Sequence, residues 1–225
     1  MRSSAVVSGA LSVLLLALVA FGWPPLLALD RSVTDTLHDN AVAEPGLVRL
    51  NRVLSDWVWD PLTMRALIAA AVVALWWHRE RRLALWLVVT TALAAAVQQG
   101  LKAAVGRERP SWTDPVDTAH FAAFPSGHAM TAMVSCGLLL WVLALHWRET
   151  WRGWSLLTVA AVVSVLGVGW TRVYLGVHWP SDVVAGWLLG WTFVAVAIVT
   201  YRGKGAGREG PGRPGSDRRR MGETH

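Results

Sequence analysis

An all-α protein with six membrane-spanning helices is the fold that the sequence predicts, and three observations carry it. Ala, Val, Ile, Leu, Met, Phe, Trp, Tyr and Cys make up 54% of the 225 residues and charged residues only 16%, against roughly 25% charged in an average soluble domain. Ten of the 36 formal charges fall in the last 24 residues, which leaves a body too apolar to present a water-soluble surface. Six continuous apolar runs are long enough to cross the hydrocarbon core, about 30 Å thick, which takes a helix of roughly 20 residues. Continuity, rather than alternation with period two, favours helices over barrel strands. Fifteen Trp against four Phe and two Tyr suit a protein with much surface at the membrane–water boundaries.

The first run is Ala5–Leu29. A secretory signal peptide is the alternative, since Met1-Arg2 gives a positive start and small residues near Ala28 offer a cleavage site. The apolar stretch exceeds the 7–15 residues of a signal h-region, so a retained span is expected. The following segment, Asp30–Asp60, carries Leu47, Leu50, Leu54 and Trp57 at helical spacing, which predicts a short helix lying in the interface. Pro61–Trp77 is the second span, with Arg65 near its start able to snorkel to a headgroup. Leu83–Leu101, Ala129–Trp147, Gly153–Trp170 and Val183–Tyr201 complete the set, and Arg65 is the single formal charge in all six. The chain shows no internal repeat. It divides into a six-span membrane domain over 1–201 and a Gly/Pro/Arg-rich tail over 202–225, predicted to be disordered and drawn to anionic headgroups.

Lys and Arg counts set the orientation. With a cytoplasmic N-terminus, the cytoplasmic segments hold 13 basic residues and the opposite side 7; His78–Arg82 alone supplies three Arg. Both termini are therefore expected in the cytoplasm. The net charge of +6 follows from topology and tail and calls for no nucleic-acid partner. One cysteine, Cys136, excludes a disulfide scaffold and a four-thiolate zinc site.

The polar residues gather in two segments on the non-cytoplasmic side. In KAAVGRERP, Lys102 and Arg109 are seven residues apart; if the third helix continues, both cations share one face about 10 Å apart. Pro110 disfavours helical geometry at Arg109, so the helix should end about there. In FPSGHAM, Ser126 suits an N-cap and Gly127 lets the backbone approach a ligand, so the free amides form an anion site with His128 beside it. In TRVYLGVHWPSDVVAG, Pro180 fits the first position of the last helix and leaves His178 just upstream. Asp182, in the first turn, can reach back to one imidazole nitrogen and leave the other free as nucleophile or base. Each cluster alone has a plain reading: snorkelling cations, a cap beside a solvated histidine, an acidic first turn. If the helices pack so that these mouths meet, three cations, two histidines, a carboxylate and an amide nest converge on one interfacial pocket, a setting for a phosphate. Two His and one Asp over 55 residues make a weak metal-ligand set, and no Walker-type loop supports ATP-driven work.

Lys102-x6-Arg109-Pro110, Pro125-Ser126-Gly127-His128 and Thr171-Arg172-x5-His178-x3-Asp182 resemble, in order and spacing, the three signature motifs of the type 2 phosphatidic acid phosphatase superfamily. One departure is Thr171, where the family pattern usually has Ser; Thr keeps the hydroxyl for a bond to phosphate, while its methyl would narrow the pocket. The resemblance implies that Lys102, Arg109 and Arg172 hold phosphate oxygens with Ser126 and the Gly127 amide. It implies that His178 attacks phosphorus to give a phosphohistidine, with Asp182 orienting it, and that His128 protonates the leaving group. It implies no metal and no other cofactor. The substrate class it implies is a lipid phosphate in the bilayer: phosphatidic acid, phosphatidylglycerol phosphate or a polyprenyl diphosphate such as undecaprenyl diphosphate, in the manner of bacterial members. Two other readings are a phosphotransferase to a lipid acceptor and a transporter of phosphorylated lipids; oligomeric state is not legible.

Overall fold

The computed structural model describes residues 1–146 and 151–206. Among these residues, eight α-helices and one π-helical segment follow one another: α1 (Arg2–Ala20), α2 (Pro24–Ala43), α3 (Pro45–Val53), the π segment Leu54–Val58, α4 (Pro61–Trp77), α5 (Arg81–Val105), α6 (Gly127–His146), α7 (Trp151–Tyr174) and α8 (Pro180–Ala206). Six stretches are long and apolar enough to cross a membrane, provided by α1, α4 with the segment before it, α5, α6, α7 and α8. The all-helical multi-span architecture is the predicted one. Trp147, the last residue of the predicted fourth span, lies outside the described residues, as does the tail from 207 on. Tyr201, the predicted end of the membrane domain, falls short of the helix end, since α8 runs on to Ala206.

Four prolines start helices where the sequence allows it, Pro180 at α8 among them. Pro24, Pro45 and Pro61 occupy the first turn of α2, α3 and α4, where a missing N–H costs nothing because that donor has no intrahelical partner. Asp60 caps α4, its Oδ1 accepting from the Leu62 amide at 2.7 Å.

The first predicted run is not one helix. It breaks at Phe21–Trp23, where Gly22 takes a left-handed φ of 65° and its amide donates to the Val19 carbonyl at 3.1 Å. α1 alone is the span, and α2 takes the end of the predicted run, Pro24–Leu29, and continues into the region read as a loop. The reason lies in the composition of α2: Asp30, Thr34 and His38 are buried polar residues within it, packed against protein rather than lipid. The amphipathic segment after it is helical as expected, with Leu47, Leu50 and Trp57 exposed.

α6 and α8 form the centre of the bundle. A Cβ at Gly186 would run into the Ser126 carbonyl, and one at Gly190 into Met133, so these glycines permit the close crossing that membrane helices use for packing. Leu87, Met130, Leu138 and Val194 fill the core between α5, α6 and α8. α1 closes on α8 through small and polar residues, with Thr192 Oγ1 donating to Ser8 Oγ at 2.8 Å. Large apolar side chains left exposed, such as Val13, Leu85, Leu93, Val159 and Leu166, are the belt that lipid tails cover. The C-terminal ends of α5 and α7 and the N-terminal ends of α6 and α8 meet at one end of the bundle, and the loop 106–126 folds over them.

Candidate active site

The chain after α7 turns sharply. Gly176 takes φ 67°, and the amides of Val177 and His178 both donate to the Arg172 carbonyl at 3.2 Å. Gly176 also lies against the Trp112 indole, where a Cβ would collide, and its carbonyl accepts from Trp112 Nε1 at 3.0 Å. That turn sends His178 back under the bundle end, and Pro180 then opens α8. Asp182 closes the first turn: its Oδ2 accepts from the Trp179 amide at 3.0 Å and lies 3.4 Å from His178 Nδ1.

Arg109 stands at the opposite face of the imidazole. Its Nη1 lies 3.2 Å from His178 Nε2 and donates to the Val177 carbonyl at 2.5 Å; Nε and Nη2 donate to the carbonyls of Phe121 and His120. A guanidinium can only donate, so Nε2 must present its lone pair and Nδ1 carries the proton toward Asp182. Burial, then the cations Arg109, Arg172 and Lys102, hold the His178 imidazole well below its ordinary range. The ring is therefore neutral, with its unprotonated nitrogen among cations.

One cavity of about 400 Å³ is lined by Lys102, Arg109, Gly127, His128, Arg172 and His178 together with Arg65, Gln98 and His120. Ser126 and Asp182 complete the predicted set beside it; both are fully buried. Among the described residues, the Ser126 side-chain oxygen has no hydrogen-bond partner, and neither has Arg172 Nε. Both are buried polar groups at the edge of a cationic cavity, placed so that a polar ligand could satisfy them. Lys102 Nζ meanwhile donates to the Ala122 carbonyl, which ties the folded loop to α5.

Three local expectations are corrected. α5 stops at Val105, because Gly106 takes a left-handed φ of 59° and its amide closes on the Lys102 carbonyl at 3.0 Å. Arg109 thus reaches the pocket from the loop, not from a shared helix face with Lys102. Ser126 holds the N-cap position with its carbonyl, accepting from the Met130 amide at 3.1 Å, while its hydroxyl makes no cap bond. Thr171 faces away: its hydroxyl donates to the Val168 carbonyl at 2.9 Å, and it lines a different groove beside Trp170 and Tyr174. The hydroxyl that meets Arg172 is that of Ser55, 2.8 Å from Nη1.

Behind Asp182 stand residues that the sequence motifs do not include. Arg107 donates to Asp182 Oδ1 at 2.6 Å and to Asp30 Oδ2 at 2.7 Å. Asp30, on α2, also accepts from the Ser181 amide at 2.9 Å and from its hydroxyl at 2.5 Å. The Arg107 guanidinium lies 5.6 Å from the Trp179 ring centroid. Asp30 sits 152 positions before Asp182, so no spacing rule could pair them; an acidic residue ending an apolar run was the one available sign.

Fold and site together define a helical membrane protein with a histidine–carboxylate pair set in a cationic, anion-sized pocket. The chain belongs to the PAP2 superfamily, whose sequence model matches residues 83–206, and is a membrane-embedded member of that lipid phosphatase family. It is 33% identical over 161 residues to an undecaprenyl-diphosphatase of Sulfolobus acidocaldarius, covering 68% of each chain. A phosphatidylglycerophosphatase B of Bacillus subtilis is 36% identical over 90 residues, 40% of this chain and 44% of the other. The fold matches the crystal structure of a PAP2-type phosphatidylglycerolphosphate phosphatase from Bacillus subtilis with a TM-score of 0.78, over 89% of this chain and 96% of that one at 21% identity.

Proposed function

We propose that the protein hydrolyses a phosphomonoester or diphosphate of a lipid through a phosphohistidine, without a metal ion. The observation that carries this reading is the state of His178: Nδ1 is engaged by Asp182, and Nε2 offers its lone pair in a pocket lined by Lys102, Arg109 and Arg172.

Lys102, Arg109 and Arg172 take the phosphate oxygens, helped by the Ser126 hydroxyl and the Gly127 amide at the start of α6. His178 Nε2 attacks phosphorus in line, and the bond from phosphorus to the leaving oxygen breaks. His128 gives its proton to that oxygen. Asp182 accepts the Nδ1–H bond and balances the positive charge that the ring gains. Water then attacks the phosphohistidine, His128 takes its proton, and orthophosphate leaves. Positioning and charge stabilisation dominate phosphoryl transfer, which is why several fixed cations suit the task. Among the described residues, no group of three His, Cys, Asp or Glu side chains converges as a metal site.

The substrate class is a membrane lipid bearing phosphate, such as phosphatidic acid, phosphatidylglycerol phosphate or undecaprenyl diphosphate, with the pocket on the extracytoplasmic side by the positive-inside count. The test is release of orthophosphate from these three lipids by purified protein in detergent, with and without EDTA. Release that persists in EDTA supports the reading. Loss of release in EDTA overturns the metal-free route, and a phosphorylated lipid product in place of orthophosphate means transfer rather than hydrolysis.

A further inference from the structure

A second cavity of about 530 Å³ adjoins the cationic pocket and is lined mainly by apolar residues of α4, α5 and α6, including Ile68, Val72, Val88 and Val134. Arg65 and Gln98 are the residues that line both. They sit at the neck where the cationic pocket gives way to the groove facing the bilayer. Neither side chain has a hydrogen bond or an ion pair among the described residues. Gln98 is only 5% exposed, one helical turn before Lys102, with its amide seated over Gly127 where a Cβ would collide. The Gln98 amide is not among the buried groups left without a partner, so it opens onto the cavities it lines and is free to meet a ligand there, and a cation inside a span that pairs with nothing among the described residues is a functional-site candidate.

Resting on the function proposed above, we infer that Arg65 and Gln98 form a second anion subsite that takes the inner phosphate of a lipid diphosphate. The order of the cavities matches the order of the groups in such a molecule. The terminal phosphate lies against His178 and the three cations, the inner phosphate lies at the neck, and the hydrocarbon chain runs along Ile68, Val72 and Val134. In phosphatidic acid the neck receives uncharged glycerol esters, to which Arg65 offers little. The reaction balances as lipid diphosphate plus water giving lipid monophosphate and orthophosphate. The bond broken is the one from the terminal phosphorus to the bridging oxygen, and the inner phosphate stays on the lipid.

The test compares wild type, Arg65→Gln, Arg65→Lys and Gln98→Ala, as full-length protein in mixed micelles, on undecaprenyl diphosphate and on phosphatidic acid. Arg65 is exposed and has no hydrogen bond or ion pair among the described residues, so thermal unfolding of Arg65→Gln should match wild type. The expected result is a fall in kcat/KM of about 10-fold or more on the diphosphate and less than about 3-fold on phosphatidic acid, with Arg65→Lys between. Methylenediphosphonate should lose inhibitory strength against Arg65→Gln by a similar factor, while inorganic phosphate inhibits both proteins alike. Equal losses on both lipids, as a merely snorkelling arginine would give, overturn the subsite and leave the phosphatase reading intact. So does a wild type that cleaves only phosphatidic acid. A wild type that cleaves neither lipid overturns the functional reading and the subsite with it. If only the diphosphate is cleaved, an unchanged inhibition by methylenediphosphonate in Arg65→Gln counts against the subsite, and a weakened one supports it.

Discussion

Arg107 Nη1 lies 2.6 Å from Asp182 Oδ1, while the other oxygen of the same carboxylate lies 3.4 Å from His178 Nδ1. One guanidinium therefore fixes the carboxylate that orients the proposed nucleophile, and Asp30 fixes the guanidinium in turn from α2. This chain of contacts joins the start of the protein to the pocket and makes Arg107 a positioning residue.

Arg107→Gln should lower kcat by about 10- to 100-fold with little change in KM, since a small misplacement of a reacting group costs up to about 10²-fold. Arg107→Lys, which keeps the charge but loses the fork, should recover part of the loss. Steady-state kinetics on protein checked for thermal unfolding separates this from collapse of the fold. An unchanged kcat in Arg107→Gln would remove the positioning role.

The cost of losing the proposed acid depends on the leaving group. His128→Ala should slow cleavage of phosphatidic acid by about 10²- to 10⁴-fold, the usual worth of a general acid. A diphosphate leaves as a phosphate, which needs a proton far less than an alkoxide does, so His128→Ala should cost less there. Orthophosphate release from the two lipids by the same preparation measures the ratio. Equal losses on both would count against His128 as the acid.

In the proposed mechanism protonating His178 blocks attack, so activity on the acid side should survive until the pH nears the pKa of that ring. Burial and the neighbouring cations hold this pKa well below the ordinary value, so the limb of kcat/KM that reports His178 lies below the usual histidine range near pH 6.5. Removing a cation raises the pKa, and Arg109→Gln should therefore move the limb to higher pH. A downward movement in a pH–rate profile would contradict the electrostatic account.

Arg172 is 4% exposed and gives Nη1 to Ser55 while Nε has no partner. Arg172→Lys puts a point charge where a planar fork donates to Ser55 and keeps Nε free for an anion. Phosphate inhibition should weaken by about 10-fold in this variant, read from the competitive inhibition constant. Unaltered inhibition would mean that Arg172 does not touch the anion.

The six spans, the helix start at Pro180 and the reach of Asp182 back to His178 were legible because each depends on residues close together in the chain. The halt of α5 was legible in principle too, since Gly106 is a common C-terminal signal, but Pro110 drew the boundary four residues too late. Asp30 and Ser55 were not legible. They reach Arg107 and Arg172 across 77 and 117 positions, and only the packing of α2 and the π segment against the bundle end brings them there. The break at Gly22 escaped for another reason: Phe21, Trp23 and the leucines after them keep the run apolar across the kink.

The most direct measurement is a single turnover of lipid labelled with ³²P in the terminal phosphate, quenched in alkali and followed by mapping of the labelled peptide. Label on His178 in wild type, absent in His178→Ala, is the predicted result. Orthophosphate released with no label on the protein, or with label on another residue, would contradict the assignment of His178 as the group that accepts phosphorus.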